Sequence, residues 1–321
     1  MNKKIVLGLI AIVLIVGLGM YFKKDTSTSD YTVKIGALKG TIATIPTEFL
    51  KNTEILKESG LKYEIVDFAS SNLLYEATVR GDVDAAPLVS LLPVLQNYHK
   101  QPEAVKVFGT FNLKVEDKYD YIMVKKDSPI KSLQDLSGKA VKFGAYPGTT
   151  QIAFTRIYLQ KIGVDTSKIE FVQLAPSSHL QALESGSIDI LATYDPIATL
   201  GVSGGNMVIL DYSMYARDFD NTPLGVGLVN SKFAIDHPSD LKKFFKAYDK
   251  AYELISKDPE LTYSTISSTY NLPLESAKTL ALPTWNVSRD YDAKNFQKFI
   301  DHLVEIKELE KGFDTSTILI K

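Results

Sequence analysis

The sequence predicts an α/β protein built from two similar lobes, each with a largely parallel sheet and helices on its faces. Two observations predict it. The octet KIGALKGT (Lys34 to Thr41) returns as KFGAYPGT (Lys142 to Thr149), with the first glycines 108 positions apart. The elements that follow each octet also come in the same order. A segment with helical spacing of apolar residues ends at Gly60 or Gly163, and a β-rich run follows, LKYEIVDF or KIEFVQL. Then ASSNLLYEATVRGDVDAA and APSSHLQALESGSIDIL each read as a Ser-rich cap, a short helix, Gly-x-(Val/Ile)-Asp and a strand, with Gly81 and Gly186 105 apart. A two-copy repeat of this length is outside the solenoid periods of about 20–50 residues. It reads as two β-α-β-α-β units, against the plainer alternative that any two α/β units look alike.

Between and after the units the chain supplies connections. SPIKSLQDLSGKAV (Ser128 to Val141) carries Ser132 and Asp135 at capping-box spacing before a short helix. YDYIMVKK (Tyr119 to Lys126) reads as a strand entering the second lobe, and NMVILDY and PLGVGLVNS as strands returning to the first. The crossovers fall near Val115–Tyr121 and Ser213–Val226 and act as a hinge. The expected division is 1–22 membrane anchor or signal, 23–30 linker, 31–118 plus 220–321 first lobe, and 119–219 second lobe. The C-terminal part reads as helical: DHPSDLKKFFKAYDKAYELISKDPE, with Phe244, Phe245, Tyr248 and Tyr252 as core, and a helix from Asp292 to Gly312.

Composition narrows the function. The 321 residues, 45% hydrophobic, are ample for a core, and a net charge of −2 gives no basic surplus for nucleic acid. There is no cysteine, hence no disulfide, thiolate metal site or cysteine nucleophile. The four histidines, His99, His179, His237 and His302, have no metal-ligand spacing. No Ser-His-Asp arrangement stands out, and GTTQIAF lacks the Gly-Lys-(Ser/Thr) ending of a phosphate loop. The expectation is a binding protein without cofactor or catalysis. At the N-terminus, Ile5 to Phe22 is an uncharged apolar run after Lys3 and Lys4, near the lower length for a span. It reads as an uncleaved anchor in preference to a removed signal, and both place the rest of the chain outside the cytoplasm.

Ligands of open α/β sheets lie beyond the carboxyl ends of the strands, where the loops with Gly40 and Gly148 fall. Those glycines let backbone approach a ligand. Thr41, Thr149 and Thr150 either cap the following helix or donate a hydroxyl to a ligand. If the lobes face each other, both helix ends point into one cleft, and the motif is doubled because the ligand is gripped from both sides. Asp195, just past a strand, either receives an amine or hydroxyl or caps the helix after Pro196. Tyr194 beside it and Ser90 in the first lobe are placed comparably. Trp285, the single tryptophan, sits in an expected loop, LPTWNVSRD, as packing anchor or as cleft wall.

DSPIKSLQDLSGKAVKFGAYPGTT, QALESGSIDIL and YEATVRGDVDAAPLVSLLPVL resemble the substrate-binding proteins of ABC importers. Within them the likeness is to the nitrate/sulfonate/taurine and pyrimidine-precursor branch with the Thi5/NMT1-like domain. The resemblance covers about Val33 to Gly312. It implies a periplasmic-binding-protein-like class II fold, two lobes with a two-crossover hinge, acting as a monomer. Such a protein closes on a small anionic or zwitterionic organic solute and delivers it to an ABC permease and ATPase. In the family, the loop matching Gly148, Thr149 and Thr150 meets the ligand's acidic group, and the position of Trp285 lies near the cleft. The alternatives are a pyrimidine thiamine precursor or other heterocycle as ligand, or an enzyme or sensor on the same fold. The chain lacks the lipid-modified cysteine of such proteins and the cysteine-rich motif of pyrimidine-synthase relatives.

Overall fold

Eleven strands among the described residues make two mixed sheets. The computed structural model describes residues 30–148, 150–280, 282, 284–286 and 288–320. The strands are β1 (Thr32–Leu38), β2 (Lys62–Phe68), β3 (Ala85–Ser90), β4 (Val105–Leu113), β5 (Asp120–Lys125), β6 (Val141–Ala145), β7 (Ile169–Gln173), β8 (Ile190–Tyr194), β9 (Met207–Tyr212), β10 (Thr222–Asn230) and β11 (Thr284–Trp285). Their orders are β11-β4-β10-β3-β1-β2 and β7-β6-β8-β5-β9. Both sheets belong to one compact unit, Thr32–Lys321.

The repeated units account for the parallel part of each sheet. β1 runs parallel to β2 and β3, with Ile35 opposite Ile65, and β6 runs parallel to β7 and β8, with Phe143 opposite Phe171. The remaining pairings are antiparallel, so the sheets are mixed where the sequence suggested largely parallel ones. The reason is where each strand starts. Strands of the units end at the cleft, whereas β5 and β10 arrive through crossovers and begin there: Asp120 lies opposite Tyr194, and Gly225 opposite Ser90. A second correction concerns β9. It was expected to return to the first lobe, but it pairs with β5 in the second sheet, and only β10 returns.

The doubled motif has a structural explanation in both copies. The Asp84 carboxylate accepts the Lys34 N–H at 2.8 Å, and the Asp84 N–H donates to the Lys34 carbonyl at 2.8 Å. Asp189 does the same with Lys142, at 2.7 and 2.9 Å. The aspartate of Gly-x-(Val/Ile)-Asp therefore pins the start of the unit's first strand. Gly36 and Gly144 answer to space: a Cβ there would lie 2.2 Å from Leu74 Cδ1 and 2.4 Å from Ile188 Cδ1.

The helices differ more between units than the strands do. The second unit has one continuous helix, Thr150–Lys161; the first has a 3₁₀ turn, Ile42–Thr44, then Ile45–Asn52 and Ile55–Glu58, broken where Thr53 is extended (φ −118°, ψ 170°). The capping-box segment forms a 3₁₀ turn, Leu133–Leu136, with Asp135 accepting the N–H of Ser132 at 2.9 Å. At the C-terminus Pro238–Lys257 is followed by a helix the sequence reading did not separate, Pro259–Tyr270. The last long helix is Ala293–Glu305 and stops well before Gly312, where Lys307 turns to φ +64°. Phe108 packs among Phe244, Phe245 and Tyr248 in the first lobe's core. Among the described residues no helix is long and apolar enough to cross a membrane, and the expected anchor Ile5–Phe22 lies outside those residues.

The chain passes between the sheets twice, at 114–119 and 213–221. The two passages are tied to each other. Ser213 N–H donates to the Asp120 carbonyl at 2.9 Å, Met214 N–H to Asp120 Oδ2 at 2.7 Å, and Ser213 Oγ to the Val115 carbonyl at 2.7 Å. Asp120 is 1% exposed, and its Oδ1 has no partner among the described residues. Burial pushes its pKa up to about 7, partly offset by the Met214 N–H.

Gly36→Ala and Gly144→Ala are each expected to destabilise the fold by about 1–3 kcal/mol in urea unfolding, because buried Leu74 and Ile188 must move. Asp120 sets a pH slope. The folded chain holds its proton up to about pH 7, while the unfolded chain releases it near pH 4, so this group's contribution makes stability fall as pH rises through that window. Asp120→Asn should remove that slope and raise stability above pH 7, by at most about 4 kcal/mol. A variant with the wild-type slope would contradict the assignment.

Candidate ligand-binding site

A cavity lies where the loops of the two sheets meet. Its volume is about 80 Å³, several times the roughly 10–15 Å³ one water needs, so it has room for a small solute. The first lobe contributes Thr41, Ser70, Ser71, Asn72 and Ser90; the second contributes Gly148, Thr150, Gln151 and Tyr194.

The two octet loops reach this place differently. Gly40 has φ +93° and packs against Pro176 of the opposite lobe, whose side chain would lie 3.0 Å from an added Cβ. Its carbonyl accepts the Tyr146 hydroxyl at 2.5 Å. The first N–H groups of the following turn are already occupied: Ile42 N–H donates across the cleft to the Asp195 carbonyl at 3.0 Å, and Ala43 N–H to Thr41 Oγ1 at 3.2 Å. Thr41 thus caps its turn while lining the cavity, and its hydroxyl also meets the Tyr119 hydroxyl at 2.5 Å. Gly148 has φ +111° and lines the cavity, but its N–H donates to Gln173 Oε1 at 3.0 Å. Thr150 begins the helix Thr150–Lys161 at the cavity, and Thr149 lies outside the described residues.

The first lobe's open helix end comes instead from the helix Ser71–Arg80. Ser70 caps it by accepting the Leu73 N–H at 3.4 Å. Ser71 Oγ accepts the N–H and the hydroxyl of Ser90, at 3.0 and 3.1 Å. The sequence reading named Ser90 and saw the Ser-rich cap, but did not place Ser70, Ser71, Asn72 or Gln151 at the site. The signal available was the cap itself, repeated in ASSN and APSS.

A wall of rings also lines the cavity. Tyr119 stacks on Tyr194 at 4.9 Å, Tyr146 meets Tyr194 at 4.6 Å, and Phe111 meets Tyr119 edge-on at 5.3 Å. Burial raises the pKa of Tyr119, Tyr146 and Tyr194, so their hydroxyls stay neutral. Among the described residues Lys39 is the one charged residue on the lining; its side chain is 65% exposed and bridges to Asp67 at 2.6 Å.

Two expected site residues lie behind this wall. Asp195 is 2% exposed; its carboxylate accepts the Tyr121 hydroxyl at 2.9 Å and the N–H and hydroxyl of Thr199 at 3.0 and 2.9 Å. It thereby holds an N–H of the first turn of the helix Ile197–Ser203, whose N-cap position is Pro196, and burial raises its pKa. Trp285 is in the two-residue strand β11, opposite Phe111, where a loop was expected. Its indole donates to the Ala43 carbonyl at 3.0 Å, and it lines a smaller adjoining cavity that shares Ala43, Leu88 and Phe111 with the first. His179 is buried between Thr193 and the Leu174 carbonyl, its pKa pushed down to about 4 by desolvation. Among the described residues no group of three or more His, Asp or Glu side chains could hold a metal ion.

The profile of the family described as NMT1/THI5 like matches residues 51–262. A Bacillus subtilis (strain 168) protein named for binding aliphatic sulfonates is 23% identical over 271 residues, covering 83% of this chain and 78% of its own. The alkanesulfonate-binding protein of Xanthomonas axonopodis pv. citri, solved bound to MOPS, aligns with a TM-score of 0.74 at 19% identity, over 90% of this chain and 98% of that one. The periplasmic nitrate-binding protein of Synechocystis PCC 6803 aligns at 0.68 and 14% identity, over 89% and 84%. These likenesses establish a periplasmic-binding-protein-like fold of two α/β lobes.

Tyr146→Phe removes the hydroxyl that reaches Gly40 across the cleft. It should lower stability by about 0.5–1.5 kcal/mol in urea unfolding, and an unchanged midpoint would show that this bond contributes nothing.

Proposed function

The chain belongs to the NMT1/THI5-like family, and from that premise we propose that it is the extracytoplasmic solute-binding component of an ABC importer, capturing a small organic anion between its lobes. The observation that carries this reading is the convergence of two long helices, Ser71–Arg80 and Thr150–Lys161, which start at the cavity from opposite lobes. Helix starts present N–H groups and partial positive charge, which favour an oxyanion. Hydroxyls of Ser70, Ser71 and Thr150 add donors, Ser90 orients Ser71 by donating to it, and the ligand's apolar part rests on Leu88, Phe111 and Leu224. The names of the sulfonate- and nitrate-binding relatives support an oxyanion, and the sulfonate-binding ones an organic one.

In this reading Thr41, Gly148, Thr149 and Tyr194 complete the site. A zwitterion gains less support than a plain anion, because no carboxylate lines the cavity among the described residues and Asp195 is occupied by Tyr121 and Thr199. A flat heterocycle is the second reading, favoured by the tyrosine and phenylalanine wall. Binding requires no chemistry on the solute. Tyr146–Gly40 and Ile42–Asp195 join the lobes, and a solute held by both helix ends favours that joined form. A permease and an ATPase are the partners, the chain acts as a monomer, and Ile5–Phe22 tethers it to the outer face of the membrane.

Calorimetry on the purified full-length protein tests this with butanesulfonate, MOPS, taurine, nitrate and a hydroxymethylpyrimidine. An alkanesulfonate is expected to bind saturably with Kd in the micromolar range, roughly −8 kcal/mol. Ser71→Ala with Thr150→Ala should weaken it at least about 10-fold, roughly 1.4 kcal/mol. Binding of the pyrimidine alone would favour the second reading, and binding of none would contradict both.

A further inference from the structure

Gln151 is the second residue of the helix Thr150–Lys161, lines the cavity and is 2% exposed. Its carboxamide orientation is fixed, because Oε1 must face the Tyr146 N–H, which donates to it at 2.7 Å. The other end, Nε2, is therefore the donor left over, and it is buried without a partner among the described residues. Buried amide donors are rarely left unpaired, and a site built to hydrogen-bond a ligand rejects analogues that lack the matching atom. The neutral hydroxyls and the helix start around Gln151 suit the same acceptor.

We propose that Gln151 is a specificity-determining residue: its Nε2 donates to an acceptor oxygen of the bound solute, and through Tyr146 it links that contact to the bridge between the lobes. The inference rests on the solute-binding reading above. Tyr146 receives Gln151 at its N–H and gives its hydroxyl to the Gly40 carbonyl across the cleft at 2.5 Å. A solute that fixes the Gln151 side chain thereby also fixes the residue that joins the lobes. A solute without an acceptor at this point leaves the amide unpaired in the joined form and is discriminated against.

Gln151→Glu keeps an oxygen for the Tyr146 N–H and removes the donor; Gln151→Met removes both without adding charge. The probe is the panel member that wild type binds tightest, measured by calorimetry at pH 5 and pH 8 and expressed relative to wild type at the same pH, so that titration of the solute itself cancels, with ligand-free thermal unfolding as the control for folding. Wild type at each pH is the baseline, which also absorbs the titration of Asp120 at the hinge. The other titratable groups on the lining are Lys39, Tyr119, Tyr146 and Tyr194, and all have pKa values raised from already high values. Gln151→Glu should lose at least 30-fold at pH 8 and regain part of that at pH 5, where a protonated carboxyl again donates. Gln151→Met should lose at least 10-fold at both. If the folded Met variant binds like wild type, or the Glu variant shows no recovery at pH 5, the proposal is overturned. Failure of wild type to bind any panel member overturns the solute-binding reading and this inference with it, whereas normal wild-type binding with unaffected variants overturns this inference alone.

Discussion

Two hydrogen bonds between the lobes define the cavity: the Tyr146 hydroxyl to the Gly40 carbonyl, and the Ile42 N–H to the Asp195 carbonyl. Each joins a loop at the carboxyl end of one sheet to a loop at the carboxyl end of the other. While they hold, Ser71, Thr150 and Gln151 share a single enclosure. Separating the lobes would divide that enclosure and return its donors to water. The hinge is suited to such a motion because only two passages cross, and they are bonded to each other through Ser213, Met214, Val115 and Asp120.

The internal repeat is architectural first. Asp84 and Asp189 anchor the same strand position in the two units, and Gly36 and Gly144 admit the same close packing. At the cleft the symmetry is not kept. The first unit offers the start of its second helix, Ser71–Arg80, whereas the second unit offers the start of its first, Thr150–Lys161. In the first unit the octet loop is taken up by lobe-to-lobe contacts, so Gly40 joins the lobes and Thr41 caps a short turn. The duplication of the motif is thus matched by a common strand anchor and not by a common arrangement at the cleft.

Much of this was legible in the sequence because it depends on local spacing. The octets, the Gly-x-(Val/Ile)-Asp turns and the Ser-rich caps report strands, stops and helix starts within a few residues of themselves. The hinge region was legible for the same reason, as apolar runs bounded by turn residues. What escaped depends on pairings far apart in the chain. NMVILDY and PLGVGLVNS look alike as strands, and only partner choice sends β9 to β5 and β10 to β3. Trp285 read as a loop residue because two residues paired on β4 leave no periodic signature. Gln151 read as a helix residue because its importance lies in a Tyr146 N–H and a cavity that the linear order does not display. Asp195 stood at the right level of the sheet, yet whether its carboxylate faced inward depended on Tyr121, 74 positions away.

Electrostatically the site is neutral donors set against rings. Its phenols hold their protons, Lys39 is bridged to Asp67 near solvent, and the neighbouring Asp195 carboxylate is turned away. Such an enclosure favours a small acceptor-rich solute through dipoles and hydrogen bonds more than through a direct ion pair. A crystal structure of the protein with its bound solute tests this most directly. The account predicts the solute's oxygen atoms within hydrogen-bonding distance of the Ser71–Arg80 and Thr150–Lys161 helix starts, with Tyr146 still bonded to Gly40. A solute lodged elsewhere, or one held in this cavity by a single lobe, would contradict it.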